Sequence, residues 1–140
     1  MSGEADALRK WNERGSGKFP GHLGIVFTRV SAVEVIGEFP VKSMHMAPNG
    51  FLHAGSIVTL ADTSCGYGCF ASLPEGATGF TTVELKSNFL GTAREGTIVS
   101  RATPLHLGKT TQVWDAVVTH RETGKTLAMF RCTQLVLYPK

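Results

Sequence analysis

The chain has 140 residues, 42% of them apolar and 18% charged, with a formal net charge of +3. That length suffices for one hydrophobic core but not two, and the composition is that of a globular domain rather than a disordered chain. Lys and Arg are scattered rather than gathered in runs, which gives nucleic-acid binding little support, and no stretch reaches the ~18 apolar residues of a membrane span.

In "GEADALRKWNER", Ala5, Leu8 and Trp11 fall on helical spacing among charges, which predicts a short amphipathic helix before the break "GSGKFPG". Residues 1–20 therefore read as an N-terminal helix and linker on a single domain, 1–140. Across 23–41, Val33, Val35, Gly37, Phe39 and Val41 alternate with Glu34, Ile36, Glu38 and Pro40, the period of a half-buried strand or hairpin. "MAPNGF" is turn chemistry, and the apolar stretch after it, stopped by Pro74 and Gly76, is long enough to be a helix. The rest is rich in Thr and Val. Turn residues at "LGTAREG", "HLGKT" and "RETGKT" divide it into strands at 79–90, 97–106, 110–120 and 125–138, an antiparallel meander.

One mostly apolar helix followed by antiparallel strands implies an α+β domain whose sheet wraps that helix. Ile57, Val58, Leu60, Ala61, Cys65, Phe70 and Ala71 occupy every helix face, which suits a helix enclosed by a curved sheet and a partner. Gly66 and Gly68 cost about 1 kcal/mol each within a helix, so they mark close approach of something large. The three cysteines make neither a disulfide framework nor a zinc pattern, and the charged N-terminus lacks an apolar signal core, so the expected setting is reducing cytoplasm.

Asp62 lies in the middle of this apolar helix, where lost hydration raises a carboxylate's pKa unless hydrogen bonds or cations compensate. It is either a satisfied structural carboxylate or a catalytic one. Nine residues earlier, His53 opens the helix, either as a cap or as a base. The amides of Ala54 and Gly55 in the first turn lack intrahelical acceptors and point outward at the positive end of the helix dipole, where they can stabilise an oxyanion. Eight or nine helical residues place Asp62 roughly 12–14 Å from that start and about half a rotation away. One small substrate touching both requires Asp62 of one subunit and the helix start of another.

Taken together, "NGFLHAG", "LAD", "TTVELKSNFL" and "HLGKT" resemble the hotdog-fold acyl-CoA thioesterases, in the branch of the phenylacetate-degradation and 4-hydroxybenzoyl-CoA thioesterases, over 45–138. The resemblance implies that the Ala54 N–H donates to the thioester carbonyl, that Asp62 is nucleophile or base for water, and that the two come from different subunits. It implies an assisting hydroxyl from Thr82, with Thr81 as its rival. No cofactor is expected; coenzyme A belongs to the substrate. The expected assembly is a homodimer or a dimer of dimers, a homotetramer, with no nucleic-acid or membrane partner.

Two positions depart from the family pattern. Ala54 stands where a glycine is usual and keeps the N–H. Ala47 stands where Asn or Gln is usual, so Asn49 either replaces that amide or holds the turn. Coenzyme A phosphates call for basic residues near the sheet rim, and Arg94, His106 and Lys109 are the candidates. "LGKT" and "TGKT" lack the earlier glycine of a phosphate loop, and no Gly-x-Ser-x-Gly elbow exists. The rival readings are a hotdog hydratase or dehydratase with His53 as base, and a non-catalytic acyl-CoA binder.

Overall fold

The computed structural model describes residues 2–140. The amphipathic N-terminal segment forms a helix, α1 (Ser2–Gly15), and a single turn, α2 (Phe19–His22), follows it. A hairpin comes next, β1 (Val26–Val30) and β2 (Val35–Pro40), then a 3-10 turn (Ser43–His45) and the long helix α3 (Ala54–Ala71). Four strands complete the chain: β3 (Gly79–Phe89), β4 (Thr97–Leu107), β5 (Thr111–His120) and β6 (Thr126–Leu137). The four predicted strands are present to within a residue or two at each end, but only β4, β5 and β6 run as a meander: β3 pairs with β6 at the far edge, and the chain crosses over to place β4 beside β2.

All neighbours pair antiparallel in one six-stranded sheet of order β1-β2-β4-β5-β6-β3. Alternate side chains of β2, β4, β5 and β6 point inward, as a period of two requires. Val35, Phe39, Ile98, Trp114, Val118 and Leu127 bury completely against Ile57, Leu60 and Cys65 of α3, which packs against every strand of the sheet. The helix glycines are explained by these neighbours. A Cβ on Gly68 would lie 2.4 Å from the Trp114 ring, and one on Gly66 would lie 3.1 Å from the tip of Phe80. Trp114 is further fixed by its Nε1–H, which donates to Gln112 Oε1 (2.8 Å), while Gln112 Nε2 donates to the Ser72 carbonyl at the end of α3 (3.2 Å).

Val33 departs from the predicted alternation. It is 62% exposed, because Ser31 closes the β1–β2 turn by accepting the Glu34 N–H at Oγ (3.0 Å), so the inward set begins at Val35. The two edges of the sheet differ. On β1, Asn12 of α1 accepts the Phe27 N–H (2.7 Å) and donates to the Phe27 carbonyl (2.9 Å), so its side-chain amide pairs with that residue as a neighbouring strand would. β3 forms the other edge, and Val83, Leu85 and Phe89 on it, with Leu90 just beyond, are exposed.

Candidate active site

The chain enters α3 through a tight turn. Gly50, at φ +84°, sits where a side chain would be strained; its N–H donates to the Ala47 carbonyl (3.0 Å), and Asn49 Oδ1 accepts the Phe51 N–H (3.3 Å). Asn49 thus holds the turn. Arg94 anchors the same turn from outside, donating from Nε to the Gly50 carbonyl (3.0 Å) and stacking on Phe51 (5.5 Å). Thr92 Oγ1 accepts the Leu52 N–H (2.8 Å), and the carbonyl of the fully buried His45 accepts both the His53 N–H (2.9 Å) and the Ser56 hydroxyl (3.0 Å). His45 is itself clamped, its Nδ1 accepting the Lys42 N–H (2.9 Å), its Nε2 2.7 Å from the Leu23 carbonyl, and its ring stacked on Phe39. The helix start is therefore held from several sides.

His53 is the N-cap of α3, and its Nδ1 accepts the Gly55 N–H (2.8 Å). In the neutral ring that bond takes the Nδ1 lone pair and leaves the proton on Nε2, so neither nitrogen carries a free lone pair. The Gly55 amide, expected to face substrate, is occupied by this cap. The exposed Ala54 N–H has no acceptor among the described residues and remains the free donor at the positive end of α3.

Asp62 lies two turns further on, half-buried, and its Oδ1 is buried without a hydrogen-bond partner. Burial alone pushes its pKa above the ordinary carboxylate range, with no nearby cation to offset it. It lines a cavity of about 180 Å³ with Thr63, Gly66, Tyr67 and Phe70 of α3, Phe80 and Thr82 of β3, and Arg14 of α1. Thr82 Oγ1 donates to Gln134 Oε1 (2.6 Å), which leaves its lone pairs free to accept from a water or substrate group. Thr81, on the opposite face of the strand, is exposed and outside the cavity lining. Eight residues of helix separate Ala54 from Asp62 by about 12 Å, so within one chain the amide and the acid serve different places.

The three basic candidates are not brought together. Arg94 belongs to the turn before α3, whereas His106 and Lys109 lie at the β4–β5 hairpin, beside the C-terminal end of the helix. The Lys109 carbonyl accepts the Tyr138 hydroxyl. Two of the buried cysteines are held as thiols: a hydrogen bond with Cys132 and burial push the Cys65 thiol up, and burial pushes Cys69 up to about 12. The sequence reading missed Arg14, Tyr67, Phe80, Gln134 and His45. A stripe at 62, 63, 66, 67 and 70 would have signalled Tyr67, but the others reach the site from distant segments.

Residues 49–127, which hold the turn, Asp62 and Thr82, match the family model described as the thioesterase superfamily. The chain is 32% identical to the 1,4-dihydroxy-2-naphthoyl-CoA hydrolase of Escherichia coli over 133 residues, 93% of this chain and 94% of that protein. It is 33% identical to the proofreading thioesterase EntH of Klebsiella pneumoniae over 116 residues, 83% of each. A solved thioesterase from Haemophilus influenzae superimposes with a TM-score of 0.86 at 30% identity, covering 94% of this chain and 90% of that one. A thioesterase variant from Pseudomonas aeruginosa gives 0.87 at 28%, covering 93% of each chain. The wrapped helix is thus the hotdog fold of these thioesterases.

Proposed function

From the premise that this chain belongs to the thioesterase superfamily and is a thioester hydrolase, we propose that it cleaves an acyl- or aryl-CoA thioester to the free acid and coenzyme A at a site shared by two protomers. The observation that carries this reading is Asp62, which keeps a buried oxygen without a partner while its residue lines a cavity, in a chain whose free helix-start amide lies elsewhere.

The open edge of the sheet supplies the second protomer. An open edge strand of 11 residues that exposes Val83, Leu85 and Phe89 is a template for association, and α1 already covers the opposite edge. Two β3 strands paired antiparallel about a twofold axis bring the Thr82 end of one beside the Phe89 end of the other. That second end adjoins Thr92, which holds Leu52 just before the helix start. The pairing therefore carries the partner's Ala54 toward Asp62.

A thioester carbonyl between them receives the Ala54 N–H at its oxygen. The ionised Asp62 then attacks the carbonyl carbon, expelling coenzyme A as thiolate and leaving an acyl anhydride for water to open, or it takes a proton from a water that attacks instead. Thr82 orients that water through its free lone pairs. With Nδ1 of His53 already accepting the Gly55 N–H, a hydratase using the ring as base is disfavoured.

The test is a thiol-release assay across aryl, short-chain and long-chain acyl-CoAs. Wild type should release thiol, and Asp62→Ala should lose at least about 100-fold in turnover with the fold intact. Loss of enoyl absorbance without thiol release would indicate a hydratase, and tight binding without either would indicate a non-catalytic binder.

A further inference from the structure

The chain has seven arginines, and six have clear partners. Arg9, Arg29, Arg101, Arg121 and Arg131 each pair with a carboxylate, and Arg94 donates to the Gly50 carbonyl. Arg14 alone has neither an ion pair nor a hydrogen bond among the described residues. Its guanidinium lies instead over two aromatic rings, 5.1 Å from the centroid of Trp11 and 4.5 Å from that of Phe70. Trp11 is itself packed on Tyr67 (5.1 Å) and edge-on to Phe70 (5.9 Å), so the platform beneath the cation is fixed by both helices.

This cation lines the cavity that also holds Asp62, and it stacks on Phe70, about two helical turns along α3 from the acid. Its charge acts on the Tyr67 hydroxyl, whereas Asp62 feels burial alone. Phe70, beneath the guanidinium, is eight residues along α3 from Asp62, about 12 Å. A carbonyl carbon in position for attack takes up about 3 Å of that span, and a hydrogen bond from the guanidinium takes another 3 Å or so. About 6 Å remains, roughly one aromatic ring with a para substituent or a short chain with a polar end. The flanking Phe70, Phe80 and Tyr67 supply ring faces for such a body.

Building on the thioester-hydrolase reading, we propose that Arg14 is a specificity-determining residue which selects acyl groups carrying an anionic oxygen about one ring-length from the thioester. Its planar fork offers two parallel donors to a carboxylate, and the rings hold that fork in place before substrate arrives. An acyl group with an apolar end leaves the guanidinium unmatched and gains nothing from it.

The experiment compares kcat/KM for 4-carboxybenzoyl-CoA and 4-methylbenzoyl-CoA, which differ chiefly in charge, in wild type, Arg14→Gln and Arg14→Lys, with adipoyl-CoA and hexanoyl-CoA as an aliphatic pair. The ratio of carboxyl to methyl substrate should fall at least about tenfold in Arg14→Gln and be partly restored in Arg14→Lys. A parallel fall in the aliphatic pair assigns the anionic end alone, and a fall confined to the aryl pair assigns aryl carboxylates. An unchanged ratio overturns the proposal even if both rates drop, because lost packing would affect both substrates alike. If wild type releases thiol from none of them, the hydrolase reading fails separately. Calorimetric binding of the 4-carboxybenzyl and 4-methylbenzyl thioethers of coenzyme A then decides: a charge preference lost in Arg14→Gln supports the assignment, and equal binding refutes it.

Discussion

Asp62 combines a mobile proton with an environment that resists ionisation, and both consequences are measurable. Because desolvation raises its folded pKa above the unfolded value of about 3.9, the charged form is penalised in the native state. The sign follows directly: the penalty is absent below the unfolded carboxylate range, grows as pH rises through the folded value, and is complete above it. Asp62→Asn should therefore raise the melting temperature at pH 7–8, with the gain shrinking toward zero near pH 4, even as it abolishes thiol release. Scanning calorimetry at both pH values checks this, and equal melting temperatures at neutral pH would contradict it. The same displacement should appear in catalysis. The acid limb of kcat/KM, which reports the free enzyme, should fall above the ordinary carboxylate range. Ala54 offers a separate probe, since it is the first residue of α3, where proline is well tolerated, and the extended backbone of His53 (φ −66°, ψ 132°) already suits a following proline. Ala54→Pro should delete one N–H with little else, lowering kcat by about 10²–10³ while circular dichroism stays unchanged.

At the level of elements, α3 and the sheet are locked by Gly68, over which Trp114 lies flush. Gly68→Ala should destabilise by about 1–3 kcal/mol in denaturant unfolding, against little change for Gly66→Ala, whose methyl meets only the tip of Phe80 in the cavity. Local pattern carried much of this architecture. The apolar run up to Pro74 is α3, and the turn residues at "LGTAREG", "HLGKT" and "RETGKT" separate strands where expected. Period and turn chemistry act within a few residues, so they can be read from one segment. What escaped depends on contacts between segments. Asn12 meets Phe27 across 15 positions, His45 meets Leu23 across 22, and Arg14 joins the cavity only because α1 packs on α3. The Gly55 N–H is not the free donor that its place in the first turn predicts, because it is taken by the side chain of the very histidine that marks the helix start.

For the whole molecule, the proposed chemistry requires that two protomers complete each site. Leu85, mid-strand on the open edge and 44% exposed, tests the assembly itself. Leu85→Lys places a charge in the proposed β3–β3 seam, so light scattering should show monomers and activity should fall at least about 100-fold with the sheet preserved. Complementation is more direct, because it separates sharing of a site from mere dependence on association. Asp62→Ala and Ala54→Pro proteins, each inactive alone, are unfolded together and refolded as an equal mixture. If acid and amide come from different chains, half of the dimers are mixed and each holds one doubly damaged and one intact site, so about a quarter of wild-type thiol release should return. If both groups serve the substrate from a single chain, every site keeps one lesion and the mixture stays as inactive as its components.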